Sequence, residues 1–351
     1  MIEPHCHSRE WIESQREGLN AVDPEILERA IFALTLLCAL SHSSLGFVFK
    51  GGTSLLLHLP KPQRLSIDID IVCDTDAGLL APILDSLLTD TPFSRWEEQL
   101  RGEHRLPKRL HYKFYYDSPL RPGRETPILL DIVTEKNTLS DLVEKSITTP
   151  FIETSKPVFV TTPTVNALLG DKLTAFAPNT IGVPLTERFS QQVIKQLFDI
   201  AQLYDVVTDL ESVAAANRTA HSAECSYRDS APSYADYLAD TIETCFQLCS
   251  LDLKGFTETE HTRLLRRGIK QLPNHLIDCR FRLPQAKIAA AKTAALVSII
   301  GRDSISENLP VFDVSHIDQI KDHQLPENFT ILQRLKGISP EAYYYWTTLA
   351  E

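Results

Sequence analysis

Two aspartates that stand one residue apart in an apolar segment, Asp68 and Asp70, are the side chains best placed to do chemistry in this sequence. In an extended strand, residues i and i+2 point to the same face, about 7 Å apart. Two carboxylates at that distance repel each other, and a divalent cation between them removes the repulsion. Mg²⁺ binds one or two carboxylates together with substrate phosphates, so we predict a Mg²⁺ site, with Mn²⁺ as the alternative ion. A solvated strand face is the competing interpretation.

A third acid, Asp131, lies in the middle of another apolar segment, residues 127–134. With Asp68 and Asp70 it completes a set of three carboxylates that we predict as metal ligands. In a two-metal site such a residue also helps to activate the attacking hydroxyl group. We therefore predict that all three acids are catalytic.

A glycine pair stands shortly before the acidic segment, in the order Gly51, Gly52, Thr53 and Ser54. Glycine lets the main chain approach a phosphate closely, and N–H groups at the start of a helix bind anions. The hydroxyl groups of Thr53 and Ser54 add two donors. We therefore predict that these four residues bind the triphosphate of a nucleotide. The segment is not a P-loop, because the lysine that closes a Walker A motif is absent.

The hydrophobic pattern predicts the elements that position these residues. Residues 47–50 form a short strand, the glycine pair a tight turn, and a helix starts near Thr53. Alternation of apolar and acidic residues over 67–72 predicts a strand with both aspartates on one face. Two more strands are predicted over 110–117 and 127–134.

Helical patterns dominate after residue 163, apart from polar stretches at 211–232 and 302–311 that we predict as loops. The sequence therefore predicts an α+β protein with two domains. The first, residues 1–162, holds the metal and nucleotide site. The second, residues 163–351, is helical, and we predict that it completes the active site and contacts the acceptor or a partner.

The stretch KGGTSLLLHLPKPQRLSIDIDIV, which begins at Lys50, resembles the signature of the polymerase-beta-like nucleotidyltransferase superfamily. More narrowly, the order Arg64, Ser66, Asp68 and Asp70 after the glycine turn resembles the AbiEii/AbiGii toxin family. The resemblance implies a polymerase-beta-like domain with a mixed sheet. It also implies a nucleotidyltransferase activity and adds Arg64 and Ser66 to the predicted nucleotide-binding residues.

The same family has a lysine at a helix start and an aspartate on a later helix, for which Lys172 and Asp199 are the counterparts. The resemblance implies that Lys172 contacts nucleotide phosphates and that Asp199 is catalytic. In the family, an arginine and a lysine precede this last aspartate. Here Arg188 and Lys195 match these two residues only loosely. Apart from the resemblance, Lys172 also fits a surface lysine and Asp199 a partly buried acid that needs a partner.

Together these features predict transfer of NMP from an NTP to an acceptor. The resemblance implies that the acceptor is the 3′ end of a tRNA and that the protein is the toxin of a bacterial toxin–antitoxin system, silenced by a cognate antitoxin. Two alternatives stay open at this point. One is nucleotidylation of a protein, including the protein itself, and the other is a non-catalytic nucleotide-binding regulatory module.

The formal net charge of -11 argues against a protein that coats nucleic acid by charge alone, but it allows a local basic channel. We identify one candidate channel and one further cluster. The basic residues of the channel are Arg101, His104, Arg105, Lys108, Arg109, His111, Lys113, Arg121 and Arg124, with aromatics at Tyr112, Phe114, Tyr115 and Tyr116. The competing interpretation is a solvated loop followed by a strand whose aromatics fill the core. The further cluster is Arg263, Arg266, Arg267 and Lys270, which also fits a solvated helix face.

The seven cysteines form no CxxC motif, and the N-terminus has no apolar region of the kind found in signal peptides. No apolar stretch reaches the roughly 18 residues of a membrane span. We therefore predict a cytoplasmic protein with reduced thiols and no membrane partner.

Overall fold

The computed structural model describes residues 1–19, 22–99, 108–138, 141–228, 231–305 and 308–349. They form two units: Met1–Thr164 with Asn274–Cys279, and Val165–Pro273 with Arg280–Glu351. The first carries the strands and the second is helical, so the predicted α+β class is confirmed. The predicted domains, 1–162 and 163–351, assign every residue after 162 to the second domain. In the structure, residues 274–279 belong to the first unit.

In the first unit, two helices come first, strands and helices then alternate as far as residue 86, and five strands follow. The helices are α1 (Arg9–Gly18), α2 (Pro24–His42), α3 (Gly51–His58) and α4 (Leu80–Ser86). The strands are β1 (Val48–Lys50), β2 (Asp68–Cys73), β3 (Phe93–Glu98), β4 (Arg109–Asp117), β5 (Glu125–Thr134), β6 (Leu142–Ser146) and β7 (Phe159–Pro163). The predicted strands around the candidate site are all present, with ends displaced by one or two residues.

A five-stranded sheet in the order β1-β2-β5-β4-β3 forms the centre of this unit. Strands β2 and β5 run parallel, and the other neighbouring pairs are antiparallel. The sheet is therefore mixed. Strands β6 and β7 form a separate antiparallel pair.

Helix α2 provides most of the apolar surface that covers one face of the sheet. Asp23 caps its start by accepting hydrogen bonds from the main-chain N–H groups of Glu25 and Ile26. The helix is apolar on most sides and packs against β2 and β5. Ile69 and Ile71 of β2 are buried in the same core, so the alternation along β2 leaves both aspartates on the other face.

The aromatics of β4 are divided between the two faces of the sheet. Tyr112, Phe114 and Tyr116 are buried, and the Tyr116 ring stacks on Phe32 of α2 with centroids 3.6 Å apart. These three side chains fill the core, so the hypothesis that they stack on RNA bases is wrong. Tyr115 lies on the opposite face with Arg95 over its ring. Arg101, His104 and Arg105 lie outside the described residues.

The second unit is built from helices. They are α5 (Val165–Ala175), α6 (Ser190–Tyr204), α7 (Leu210–Ser226), α8 (Tyr234–Ser250), α9 (Glu260–Gln271), α10 (Leu283–Ile300), α11 (His316–Ile320), α12 (Leu335–Ile338) and α13 (Pro340–Thr347). Helix α10 is long and apolar enough to cross a membrane by length and composition alone. It packs against α6, α8 and α13, and 67% of it is buried within the protein, as is typical of a core helix.

The prediction of a loop over 211–232 is wrong for the part that forms α7. This helix packs tightly on α5. The close approach is seen at Gly170 of α5, where an added Cβ would lie 2.7 Å from the main-chain nitrogen of Asn217. Asn217 is buried and donates to the Gly170 carbonyl oxygen at 2.9 Å. Apart from Leu210 and Val213, the buried residues of α7 are alanines and the polar Asn217 and His221, which give only a weak apolar pattern.

Candidate active site

The turn between β1 and α3 brings the main chain against a carboxylate. Gly51 has a φ of +79°, a conformation that side chains with a Cβ rarely adopt. A Cβ at this position would lie only 1.9 Å from Oδ2 of Asp70. Glycine is thus required twice at this position, once for the backbone angle and once for the space that Asp70 occupies.

The second glycine faces two other residues of the predicted site. A Cβ at Gly52 would lie 2.7 Å from Nη2 of Arg64 and 3.0 Å from Oγ of Ser66. Both side chains therefore converge on the glycine turn. Arg64 is 9% exposed, and its Nη1 donates to the carbonyl oxygen of Leu65 at 3.2 Å.

The returning segment 274–279 holds the approach to β2 in place. The main-chain N–H of Leu65 donates to the His275 carbonyl at 2.8 Å, and that of Ile277 donates to the Gln63 carbonyl at 2.8 Å. Arg64 is thus fixed by a short antiparallel bridge to Leu276 as well as by its burial. No local sequence pattern predicts this contact, because it joins residues more than 200 positions apart.

The hydroxyl groups of Thr53 and Ser54 are both used inside the protein. Thr53 donates to the main-chain carbonyl of Asp68, and Ser54 donates to the Gly51 carbonyl at 2.8 Å. Both side chains are fully buried. In this arrangement they fix α3 to β2 and close the first turn of the helix. Their predicted contact with a nucleotide stays a prediction.

The acidic side chains lie on one face of the sheet, which we name the carboxylate face. Strand register places Lys50 opposite Asp70, Asp70 opposite Asp131, and Asp131 opposite His111. Paired residues point to the same face, and neighbouring strands are about 4.8 Å apart. Asp68 lies one step along β2 on this face, where it and its acidic neighbours are partly buried. The structure thus brings Asp68, Asp70 and Asp131 together.

His111, which was predicted only as a basic residue of the candidate channel, lies in the same row as the aspartates. His111 Nδ1 lies 2.7 Å from Oδ1 of Asp131. The pairing follows from the register of β4 and β5, which the sequence alone does not specify.

The carboxylate face fits a hard divalent cation that is shared with a substrate. Among the residues described, no three His, Cys, Asp or Glu side chains converge tightly enough to hold a metal by themselves. Mg²⁺ does not need such a cage, because it takes one or two carboxylates and completes its shell with water and substrate phosphates. Asp68 and Asp70 supply that oxygen pair next to the glycine turn.

Lys172 and Asp199 contact each other within the second unit. Lys172 on α5 donates from Nζ to Oδ2 of Asp199 on α6 at 2.8 Å. The two residues are 6% and 2% exposed. The interpretation of Lys172 as a surface lysine is therefore wrong, and Asp199 is an acid with a buried cationic partner. A buried ion pair depends strongly on both members, since loss of one leaves a charge without compensation.

The basic cluster on α9 is largely engaged at the surface. Arg266 binds the carboxylates of Asp252 and Glu258, and Arg267 lies 3.3 Å from Glu187. These hydrogen bonds hold the pKa of Asp252 below its usual value. This cluster therefore fits a solvated helix face better than a site that contacts phosphates.

Residues 35–290 match the family described as nucleotidyl transferase AbiEii toxin, type IV TA system. The matched range includes every predicted site residue. MenT4, a nucleotidyltransferase toxin from Mycobacterium tuberculosis, is similar in structure, with 13% identity, 97% of this chain and 99% of that chain covered, and a TM-score of 0.52. JHP933 from Helicobacter pylori has 14% identity, coverage of 80% and 93%, and a TM-score of 0.46. No curated protein matches by sequence.

Proposed function

Because the chain belongs to the AbiEii nucleotidyltransferase toxin family, we propose that it transfers NMP from an NTP to the 3′ end of a tRNA, with Mg²⁺ as the metal ion. The observation that carries the proposal is the row in which Asp70 and Asp131 lie in register beside the glycine turn. Membership of the family sets aside the non-catalytic alternative. The family description, a toxin of a type IV toxin–antitoxin system, also implies an antitoxin partner.

In this proposal the three aspartates of the carboxylate face bind the metal ion and activate the acceptor. Asp68 and Asp70, with Asp131 as the third carboxylate, would hold the metal ion, which when bound stabilises the charge of the transferring phosphoryl group. Asp131 also orients the acceptor hydroxyl and accepts its proton. On the nucleotide side, the glycine turn and Arg64 bind the triphosphate, because the Arg64 guanidinium lies beside Gly52 at the start of α3.

Lys172 and Asp199 extend the proposal into the second unit. We infer that Lys172 neutralises phosphate charge and that Asp199 acts through the bond that fixes the amine of Lys172. The support is the buried contact of 2.8 Å between the two groups and the position of both in the family pattern. A lysine held in this way keeps its ammonium group in one place.

The choice of RNA as acceptor is supported by the residues that continue the carboxylate face along β4. Beyond His111 come Lys113 and Tyr115, and the Arg95 guanidinium lies 3.6 Å from the centre of the Tyr115 ring. Cations that alternate with an aromatic ring suit a single strand of nucleic acid, whose phosphates and bases they bind. Glu97 accepts hydrogen bonds from Arg95 and Tyr115 and holds this group together.

The acceptor class is tested by incubating the protein with each of the four α-labelled NTPs, Mg²⁺ and a mixture of total RNA and protein. We expect label in the small-RNA fraction, with none after addition of EDTA. Label confined to protein, including the enzyme itself, would overturn RNA as the acceptor while leaving the nucleotidyltransferase activity in place. Repeating the reaction with Mn²⁺ shows which of the two ions supports transfer.

Replacing Gly51 with alanine is expected to reduce NMP transfer by roughly 100-fold or more, because the new methyl group overlaps the Asp70 carboxylate and displaces it. Gly123→Ala is the matched control. Gly123 has a φ of +80° and no neighbouring atom within 4 Å, so its replacement introduces the backbone strain without the overlap. Steady-state kinetics and thermal unfolding of both variants separate the two effects. Equal activity in Gly51→Ala and Gly123→Ala would refute close packing against Asp70.

A further inference from the structure

The contact between His111 and Asp131 is a polar contact of the carboxylate face to which the proposed function gives no task. It joins β4 to β5 at a register pair, with 2.7 Å between Nδ1 and Oδ1. The imidazole side chain is 14% exposed and the carboxylate 31%. A contact this short between two partly buried groups restricts both side chains.

The chemistry of the pair sets the direction of the hydrogen bond. A carboxylate only accepts, so the proton of this bond is on Nδ1 of His111. The terminal torsion of an aspartate is broad, and no single rotamer fixes where its two oxygens point. A donor bound to Oδ1 removes that freedom. It leaves Oδ2 as the oxygen that is available to a substrate.

We propose that His111 is a positioning residue for the reaction: its Nδ1–H holds Oδ1 of Asp131, so that Oδ2 is directed to the acceptor hydroxyl. The proposal rests on the proposed function, because it needs the role given there to Asp131. Groups that orient a ligand or catalytic carboxylate from behind typically contribute about 10- to 100-fold to activity. His111 contributes in this way without touching the reacting atoms.

Two amide variants test which nitrogen matters. The side-chain NH₂ of asparagine can take the place of Nδ1, whereas that of glutamine lies nearer the place of Nε2. We expect His111→Asn to keep kcat within about threefold of the wild type and His111→Gln to lower kcat about 10- to 100-fold, with KM for the NTP unchanged in both. The rates are measured on whichever acceptor the wild type labels, and thermal unfolding of each variant identifies losses that come from the fold.

A double variant tests whether His111 acts through Asp131. In a background that carries Asp131→Asn, the further change His111→Gln is expected to cause no additional loss, because the carboxylate that it orients is absent. Additive losses would overturn the proposal, as would a His111→Gln variant as active as the wild type. Higher activity in His111→Gln than in His111→Asn would also overturn it, by assigning the function to Nε2.

A readout that does not depend on activity separates this proposal from the proposed function. ¹⁵N spectra of histidine side chains in the nucleotide-free protein, with the His111 signals identified by their loss in His111→Asn, report which nitrogen carries the proton. We expect protonation at Nδ1 and a change in the Nδ1 shift in Asp131→Asn. Protonation at Nε2 alone would refute the bond. A wild-type transfer rate in Asp131→Asn would instead refute the proposed role of Asp131.

Discussion

Asp70→Asn is expected to lower the rate of NMP transfer by on the order of 10³-fold or more, because the carboxylate that we propose as a metal ligand becomes a neutral amide of the same shape. Asp70 lies in the centre of the row that runs from Lys50 to His111, and Gly51 packs directly against it. The substitution changes charge with little change in volume, so the fold is expected to stay intact. Single-turnover rates with saturating NTP measure the effect on the chemical step.

The matched control is Asp74→Asn, which makes the same change of charge at an exposed position four residues farther along the chain. We expect this variant to transfer NMP at close to the wild-type rate. Circular dichroism and thermal unfolding of both variants show whether either change disturbs the first unit. An Asp70→Asn variant that is folded and fully active would contradict the metal assignment.

The buried ion pair of the second unit leads to the other large expected effect. Asp199→Ala is expected to destabilise the protein by about 3–5 kcal/mol, because it leaves the Lys172 ammonium buried without a counter-charge. The double variant Lys172→Met with Asp199→Leu replaces both charges by apolar groups and is expected to recover most of that stability. Equilibrium unfolding in urea measures the three free energies of unfolding.

Activity of the double variant separates a structural pair from a functional one. We expect it to be stable but at least about 100-fold less active, since the charge that we propose Lys172 supplies to the phosphates is absent. Recovery of both stability and activity would show that the pair serves the fold alone. Asp318→Ala, which breaks an exposed pair with Lys321, is the control and is expected to leave unfolding unchanged.

The parts of the site that could be predicted from the sequence are those set by local geometry. Asp68 and Asp70 share a face because side chains alternate along any strand. The place of the glycine turn followed from its order between a short strand and a helix, and the structure adds the reason for Gly51, a positive φ against Asp70. These features depend on residues within about 20 positions of one another.

The contacts that could not be predicted join distant parts of the chain. The bond between His111 and Asp131 depends on the register of two strands, and the bond between Lys172 and Asp199 on how two helices pack. The bridge from Arg64 to Leu276 depends on a return of the chain after more than 200 residues. Strand register and helix packing are decided by the whole core, so no local pattern specifies them.

Strands β3 and β6 and helix α7 were missing from the prediction for a different reason. Strand β3 has only one fully buried residue, Phe93, and β6 has none, so neither shows the alternation that marks a half-buried strand. Helix α7 buries Leu210 and Val213, but the rest of its inward face consists of alanines and polar groups. In each case the element is stabilised by neighbours that the pattern of its own residues does not reveal.

The most direct test of transfer to a tRNA 3′ end compares intact tRNA with tRNA whose terminal ribose has been oxidised by periodate. Each is incubated with the wild type, Mg²⁺ and the α-labelled NTP that gives the strongest signal, and Asp70→Asn is run in parallel. We expect label on intact tRNA with the wild type only, because transfer needs the terminal hydroxyl as the nucleophile and Asp70 at the metal site. Equal labelling of both tRNAs, or labelling that Asp70→Asn leaves unchanged, would contradict it.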